Sequence, residues 1–365
     1  QRADGTEETT AVSYICGCDG AHSAVRSTLG LRFPGGTYDQ LFYVADVERE
    51  IKAVDELEMC LGAKIFVLSL PVRSSGMHRL IGIVPQELSN KKDISWDDIR
   101  GKIEPLLSSR VKSVNWFASY RVHHRVAEKF RVGRAFLAGD AGHIHSPAGG
   151  QGMNTGIGDA INLGWKLAHV LQGRANESIL DSYEDERIRF ARTLVKSTDR
   201  GFTAVVGMGA VGSTIRKFVM PLIFNVGTRL SFARHAGFRL VSQIRITYRK
   251  CAFNIGKAGD VRGGDRLPWV QFALDANSSD NFEPLRSLDW QVHVYGKASK
   301  EIVSQCAELG VPLHQFVFNS MCKDVGLAED ALYLVRPDGH VGLASTQQPA
   351  HELDKYVDRF GLVFR

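Results

Sequence analysis

A carboxylate, a run of glycines and a helix start come together in one stretch of this chain. The apolar segment "RAFLAGD" ends in Gly139–Asp140, and a loop containing Gly149, Gly150 and Gly152 follows it. A strand that is apolar on both faces belongs in a covered sheet, and ligands of such sheets bind beyond the carboxyl ends of the strands. Asp140 at that end could accept hydrogen bonds from the hydroxyls of a sugar or polyol. The alternative role of Asp140 is to cap a turn.

The glycine loop favours a ligand over a simple turn. Without side chains at Gly149, Gly150 and Gly152, the backbone can approach a bound molecule closely. The loop leads into a helix predicted from about Asn154 to Leu171, and N–H groups at a helix start favour electron-rich oxygens. We therefore expect the loop and the helix start to form one binding site.

The predicted helix carries two stripes at helical spacing. The first is apolar and reads as a core stripe: Ile157, Ile161, Trp165, Ala168 and Leu171. The second consists of small residues four apart: Gly156, Ala160 and Gly164. The small stripe predicts that this helix lies close against a sheet or a ligand.

A second stretch, "CDGAHSAVR", repeats the arrangement of strand, carboxylate and helix. Asp19 and Gly20 follow a strand, Ser23 can cap the next helix, and Arg26 lies within it. Two such units predict two carboxylates, Asp19 and Asp140, at one edge of a sheet.

Together these stretches resemble two fingerprints of a known enzyme family. Asp19-Gly20-x-x-Ser23-x-Val25-Arg26 resembles the second fingerprint of class A flavoprotein monooxygenases, the FAD-dependent aromatic hydroxylases of the para-hydroxybenzoate hydroxylase and phenol hydroxylase type. Gly139-Asp140-Ala141, with His143, Pro147 and "GGQGMNTGIGDAINLGWKL", resembles their third fingerprint. The resemblance covers nearly the whole chain.

The resemblance implies a role for each matching residue. Asp140 would bind the ribityl chain of FAD, and Pro147 would lie near the reacting edge of the flavin as the catalytic-site residue. Asp19, with Gly20, Ser23 and Arg26, would serve the flavin and pyridine-nucleotide region. The pyrimidine end of the flavin ring would face the backbone of the glycine loop: Gly149, Gly150, Gln151, Gly152, Met153 and Asn154.

The implied reaction is the hydroxylation of a phenolic or polycyclic aromatic substrate. FAD is the implied cofactor and NAD(P)H the co-substrate, with oxygen transferred through a flavin C4a-hydroperoxide. The family begins with a strand–Gly-x-Gly-x-x-Gly–helix unit, and no such unit precedes the second fingerprint in this sequence. We therefore expect an incomplete FAD-binding domain, with a truncated, catalytically inactive homologue acting as an interaction remnant as the alternative. A halogenase or a Baeyer–Villiger enzyme on the same fold is a subsidiary alternative.

The expected fold is mixed α/β with three parts and a helical connection. Residues 1–32 and 127–200 are predicted to form a partial, Rossmann-like FAD-binding domain. Residues 33–126, rich in β-branched and aromatic runs, are predicted to form a β-sheet substrate domain. Residues 201–258 read as a helical segment, and residues 259–365 resemble the thioredoxin-like C-terminal domain of the phenol hydroxylase branch.

Composition and charge exclude several other classes. The chain has 365 residues, 44% of them hydrophobic, and a net charge of +5 without a block of five basic residues, which disfavours nucleic-acid binding. The apolar stretch 201–230 contains Arg216, Lys217 and Pro221, which disfavours a membrane span. The six scattered cysteines and the N-terminal sequence without a signal peptide pattern indicate reduced thiols in a cytoplasmic protein. A homodimer is an open alternative to a monomer.

Two further motifs are weaker. Asp140, His143 and His145 are residue types that zinc accepts, but we expect no metal, because the resembling family has none. His123, His124 and Arg125 in "RVHHRV" could contact a phosphate or the flavin, or lie on a solvated strand face. No Gly-x-Ser-x-Gly elbow supports a serine hydrolase.

Overall fold

The computed structural model describes most of the chain in three sheets and the helices that cover them. It describes residues 4–50, 57–62, 65–72, 74–146, 150–206, 229–272 and 280–364, with single positions at 219, 222 and 227. The mixed α/β class expected from the sequence is confirmed. Among the described residues, no helix has the length and apolar character that crossing a membrane requires.

The first sheet brings the two strand–Asp units together. It has three strands in the order β1-β8-β7: β1 (Ile15–Gly17), β8 (Ala135–Leu137) and β7 (Arg131–Val132). β1 and β8 run parallel, with Ile15 opposite Ala135. The carboxyl ends of both strands therefore point the same way, so Asp19 and Asp140 follow neighbouring strand ends.

Two short and two long helices accompany this sheet. They are α1 (Ala24–Thr28), α3 (Gly152–Leu171), α4 (Asp181–Val206) and α5 (Ser231–Val241). α3 and α4 pack against the sheet around Phe136, Leu137, Leu163 and Tyr183. Tyr183 donates a hydrogen bond from its hydroxyl to the carbonyl of Leu137 (2.6 Å), which fixes α4 to β8.

The second sheet is antiparallel and has two different faces. Its order is β3-β4-β5-β2-β6-β9, with β2 (Gly35–Arg49), β3 (Glu58–Leu61), β4 (Phe66–Val72), β5 (Met77–Ile83), β6 (Val111–Val126) and β9 (His143–Ile144). One face packs on α2 (Trp96–Ile103), which begins with a capping box between Ser95 and Asp98. Because side chains alternate along a strand, the other face carries a separate apolar and aromatic cluster.

The third sheet forms the C-terminal part of the chain. Its order is β11-β10-β15-β14-β12-β13, with β10 (Ile255–Ala258), β11 (Val261–Arg262), β12 (Gln291–Tyr295), β13 (Leu313–Phe316), β14 (Leu332–Val335) and β15 (Val341–Ser345). Around it lie α6 (Lys300–Leu309), α7 (Ser320–Asp324) and α8 (Ala350–Phe360). Apolar clusters lie on both faces, as expected for a covered sheet. The predicted domain limits and the thioredoxin-like character of this part stay predictions.

A buried ionic cluster joins the C-terminal sheet to α3 and α4. Lys166 on α3 and Glu186 on α4 are 2.8 Å apart (Nζ to Oε2), and Arg336 after β14 lies 2.6 Å from Glu186 (Nη1 to Oε1). Asp338 completes the cluster and accepts a hydrogen bond from Trp165 Nε1 (3.1 Å). Burial raises the pKa of Glu186, but Arg336 and Lys166 outweigh this and hold that pKa below its ordinary value. The four charges compensate one another inside the protein.

We predict that Arg336→Met lowers the free energy of unfolding by about 3–5 kcal/mol, because it leaves two buried carboxylates with too few cations. Urea denaturation followed by circular dichroism measures the loss. Arg359→Met on the exposed side of α8 is the matched control, since it also removes an arginine but leaves every buried carboxylate of the cluster with its cations. Equal losses in the two variants would contradict a cohesive role for the cluster.

Candidate functional site

The turn after β8 presents the Asp140 carboxylate at the surface. Gly139 has φ +61, a left-handed conformation that favours glycine, and residues 139–141 form a short 3-10 turn. Asp140 is exposed, and no hydrogen bond to it occurs within the described part of the chain. Its carboxylate is therefore available to a hydroxyl-bearing ligand beyond the end of the strand.

Asp159 on α3 holds this turn in place from inside the protein. Its Oδ2 accepts hydrogen bonds from the backbone N–H of Gly139 (2.9 Å) and from His143 Nε2 (2.7 Å). Its Oδ1 accepts a third from Arg187 Nε on α4 (2.6 Å). Burial raises the pKa of Asp159. The hydrogen bond from His143 and the charge of Arg187 outweigh this and hold that pKa below its ordinary value, so the carboxyl stays charged. One buried anion thus joins the turn, β9, α3 and α4.

Arg187 extends this arrangement toward the start of α3. Its guanidinium also donates to the carbonyl of Thr155 (3.0 Å) and to the hydroxyl of Tyr248 (2.8 Å). Next to it, Gln243 donates to the hydroxyl of Thr155 (2.9 Å) and to the carbonyl of Gln151 (3.4 Å). The first turn of α3 is therefore fixed by side chains from α4 and from the segment after α5.

The start of α3 lies beside the turn and keeps its backbone accessible. A Cβ built on Gly156 would lie 3.4 Å from Gly139 Cα, so the two segments touch without side chains between them. A Cβ on Gly150 would meet open space. The side chain of Gln151, the residue before α3, does not cap the helix. Met153 and Asn154 in the first turn are exposed. The helix start thus offers backbone N–H groups next to Asp140, as the sequence predicts.

The second fingerprint is held by hydrogen bonds within the protein. The Ser23 hydroxyl accepts from Arg26 N–H (2.9 Å), and the Asp19 carboxylate accepts from Val25 N–H (3.1 Å), so both cap α1. The Arg26 guanidinium donates to the carbonyl of Ala141 (2.8 Å) and ties α1 to the turn that follows β8. Gly20 has φ +82, and a Cβ there would meet open space. A contact of these residues with a cofactor stays a prediction.

Two predicted site residues, Pro147 and Gly149, lie outside the described residues. The neighbouring His145 has its Nδ1 2.7 Å from the carbonyl of Ser146, and its buried Nε2 has no hydrogen-bond partner in the part that is described. Burial lowers the pKa of His145, which favours the neutral ring. No group of three histidine, cysteine, aspartate or glutamate side chains among the described residues is arranged to hold a metal ion.

The face of the second sheet that carries the apolar and aromatic cluster continues toward this loop. Its buried side chains are apolar or aromatic: Phe42, Phe66, Ile83 and Val122, with Tyr38 and Tyr120 packed against them. The Tyr38 hydroxyl donates to Asp199 (2.7 Å), and the His124 ring lies 4.8 Å from the Tyr38 ring. Arg125 at the end of β6 pairs with Ile144 of β9, so the sheet continues into the loop after Asp140. His124 therefore lies beside a polar position that Tyr38 and Asp199 form on this sheet face.

The apolar stripe predicted as the core face of α3 is wrong for most of its residues. Ile157, Ile161 and Leu171 are exposed by 49–59% of their surface and Ala168 is exposed, whereas Trp165 packs against the core as predicted. The buried face is mostly polar instead: Thr155, Asp159, Asn162, Leu163, Lys166 and His169. It is buried because its polar groups are paired with α4, the turn and the C-terminal sheet, and such pairing removes the cost of taking them from water.

Sequence reasoning missed Asp159, Arg187, Tyr38 and Asp199. A signal for the first was present, since Asp159, Asn162 and Lys166 recur at spacings of three and four along an otherwise apolar helix. The partners of Asp159 lie 16 to 28 positions away along the chain, so only the fold brings them together.

Comparison with known proteins shows which family the chain belongs to. The family model described as "FAD binding domain" matches residues 1–198, more than half of the chain. This chain belongs to the FAD-binding domain family. Its relatives there bear the names of flavin-dependent and aromatic monooxygenases, so the class A resemblance is confirmed.

Three relatives show the extent of the likeness. A flavin-dependent monooxygenase of Mycobacteroides abscessus is 31% identical over 93% of this chain and 65% of its own length. Pentachlorophenol 4-monooxygenase of Sphingobium chlorophenolicum is 31% identical over 74% of this chain and 50% of its own length. The crystal structure of CabE, an aromatic hydroxylase from angucycline biosynthesis, superposes with a TM-score of 0.73 and a sequence identity of 27%. The match covers 96% of this chain and 70% of the CabE chain. This chain thus spans one half to two thirds of the length of the two curated relatives.

The described residues of this FAD-binding domain fit part of the cofactor. Asp140 matches the hydroxyls of a ribityl chain, because it is an exposed acceptor. The uncapped start of α3 matches an electron-rich ring edge, and the open space at Gly150 leaves room for that edge. The donor and acceptor types of the two segments thus suit the central part of FAD.

We predict that Asp159→Asn weakens FAD binding about tenfold, because the amide has one acceptor oxygen and cannot accept from Arg187 as well as from Gly139 and His143, and the loss of such bonds is worth roughly 1.5–3 kcal/mol. Fluorescence titration with FAD measures the dissociation constant, and amide hydrogen exchange at residues 139–143 reports the turn without FAD.

Asp338→Asn is the matched control, because it removes an equally buried carboxylate that does not touch the turn. It should lower thermal stability while FAD affinity and exchange at the turn stay as in the wild type. If both variants weaken FAD binding to the same extent, Asp159 acts through general stability and not through the turn.

Proposed function

We propose that this protein is an FAD-dependent monooxygenase that hydroxylates a phenolic or polycyclic aromatic substrate, with NAD(P)H as the reductant. The observation that carries the proposal is the Asp140 turn and the α3 start beside an aromatic sheet face. Names of relatives support the class, since they include monooxygenases of aromatic compounds.

FAD, when bound, supplies the electron transfer and the oxygen activation. In the proposal, Asp140 accepts a hydrogen bond from a ribityl hydroxyl. The backbone N–H groups from Gly150 to Asn154 stabilise negative charge at the pyrimidine end of the ring. The resemblance assigns Pro147, which lies outside the described residues, to the reacting edge of the flavin.

The sheet face provides the substrate surface in this proposal. Tyr120 is half-buried and packs against an apolar cluster that contains the buried side chains of Phe42 and Val122, so its ring is the part of this face that suits contact with an aromatic substrate. Tyr38 and Asp199 provide a polar position on that surface for a phenolic hydroxyl. Burial, followed by its bond to Asp199, raises the pKa of Tyr38, so the side chain stays a hydrogen-bond donor at neutral pH.

We predict that Asp140→Ala weakens FAD binding about tenfold to a hundredfold, because it removes a charge-assisted hydrogen bond. The dissociation constant from a flavin titration is the measurement. Asp358→Ala, an exposed carboxylate on α8, serves as the control and should bind FAD like the wild type. An unchanged constant for Asp140→Ala would reject the ribityl assignment.

The function itself is tested by oxygen incorporation. We expect a yellow protein that oxidises NAD(P)H faster when a suitable phenol or flat polycyclic aromatic compound is added, and that transfers one atom of labelled oxygen into the product. Mass spectrometry detects that atom. A colourless protein, or one whose NAD(P)H oxidation no aromatic compound stimulates, would favour a catalytically silent homologue instead.

A further inference from the structure

A groove of about 750 Å³ lies between α4 and the segment after α5. Its apolar lining includes Phe190 and Leu194 on α4 and Ile246 on the opposite side. The Arg187 guanidinium covers the Phe190 ring from within the protein, 4.8 Å from its centre. The volume is in the range of sites that bind small organic ligands.

The rim of this groove is rich in cations: Arg189, Arg192, Arg245, Arg249 and Lys250. Among the described residues, two carboxylates line it. Asp185 forms an ion pair with Arg189 (3.9 Å), and Glu186 is buried and paired with Arg336 and Lys166 instead of the rim.

The partners of the remaining cations leave an excess of positive charge. Arg249 is paired with Asp265 (2.8 Å, Nη2 to Oδ2), and Arg192 donates to the carbonyl of Glu128 (3.2 Å). Within the described part of the chain, Arg245 and Lys250 have no carboxylate partner, and both are exposed. An exposed cationic rim above an apolar floor suits an anionic ligand that also carries a planar ring.

The groove ends at the candidate flavin site. Gln151, the residue before α3, lines it, and so does Gln243, which donates to Gln151 and Thr155. A ligand with its anionic part at the arginines can therefore direct a planar ring toward the start of α3. A ligand that must meet the flavin ring has this geometry.

We propose that this groove binds a nucleoside diphosphate moiety, and that its ligand is the pyridine dinucleotide that reduces the flavin. The second half of this statement rests on the proposed function. The arginine rim binds the phosphates, and the apolar floor receives a ring. The positive excess favours the dinucleotide that carries the additional phosphate, NADPH, over NADH.

The experiment uses ADP as a probe, because it carries the diphosphate without the reducing ring. Isothermal titration of ADP and of NADPH into the FAD-loaded protein is compared with the same titrations on the double variant Arg192→Gln/Arg245→Gln. We expect both ligands to bind the variant about tenfold more weakly, because two charge-assisted contacts are lost. Raising the salt concentration should weaken wild-type binding, since exposed charges are screened. Arg359→Gln on α8 is the control with an unchanged groove.

The outcomes separate the groove from the reaction. If ADP binds neither protein, or binds the double variant as tightly as the wild type, the groove is not a nucleotide site. If the double variant weakens ADP but not NADPH, the reductant binds elsewhere and its assignment to the groove is wrong. If both ligands depend on the arginines while NADPH is never oxidised, the nucleotide site stands and the proposed monooxygenase reaction fails.

Discussion

The charge of Asp159 is the constraint on which the candidate site depends. A single carboxylate of α3 in the dry interior accepts from a backbone N–H, an imidazole and a guanidinium, and these three donors belong to three other segments. In the low dielectric of the interior such hydrogen bonds are strong, and a buried polar group without a hydrogen-bond partner destabilises the fold. The positions of the Gly139 turn, β9 and α4 are therefore not independent, because each is fixed relative to the same two oxygens.

A rigid turn explains how a surface carboxylate can be specific. Asp140 itself is exposed and makes no contact that orders it within the described residues. Its direction is set by the backbone on which it stands, which Asp159 from below and Arg26 at Ala141 hold in place. The aromatic face of the second sheet is joined to the same turn through β9, so the proposed cofactor and substrate surfaces share one support. This arrangement suits chemistry that needs two flat molecules at a fixed separation.

The sequence predicted the parts of the site that local chemistry determines. The strand ends at Asp19 and Asp140 lie side by side, since apolar runs followed by Asp-Gly or Gly-Asp define both. Gly156 contacts Gly139 as the small-residue stripe of α3 predicts, whereas Ala160 and Gly164 of that stripe are exposed. The orientation of α3 was not predictable in this way, because the hydrophobic pattern points to Ile157 and Ile161, whereas paired charges occupy the buried face. Burial of Lys166 depends on Glu186 and Arg336, and a linear pattern does not show that three distant residues compensate one another.

The position of Arg336 has a consequence for the evolution of this architecture. The residue belongs to the C-terminal sheet, yet its counter-ions Glu186 and Asp338 lie in the interior shared with α3 and α4. If recombination replaced the C-terminal third with one that has an apolar residue at this position, Glu186 on α4 would lose a counter-ion. The interior next to α3 and α4 would then carry uncompensated negative charge. The two parts can therefore diverge in their surfaces and loops, while their charged interior residues must change together. The ion pairs Lys166–Glu186, Glu186–Arg336 and Arg336–Asp338 are where covariation among relatives should be strongest, and any chimera must transfer all four positions as one unit.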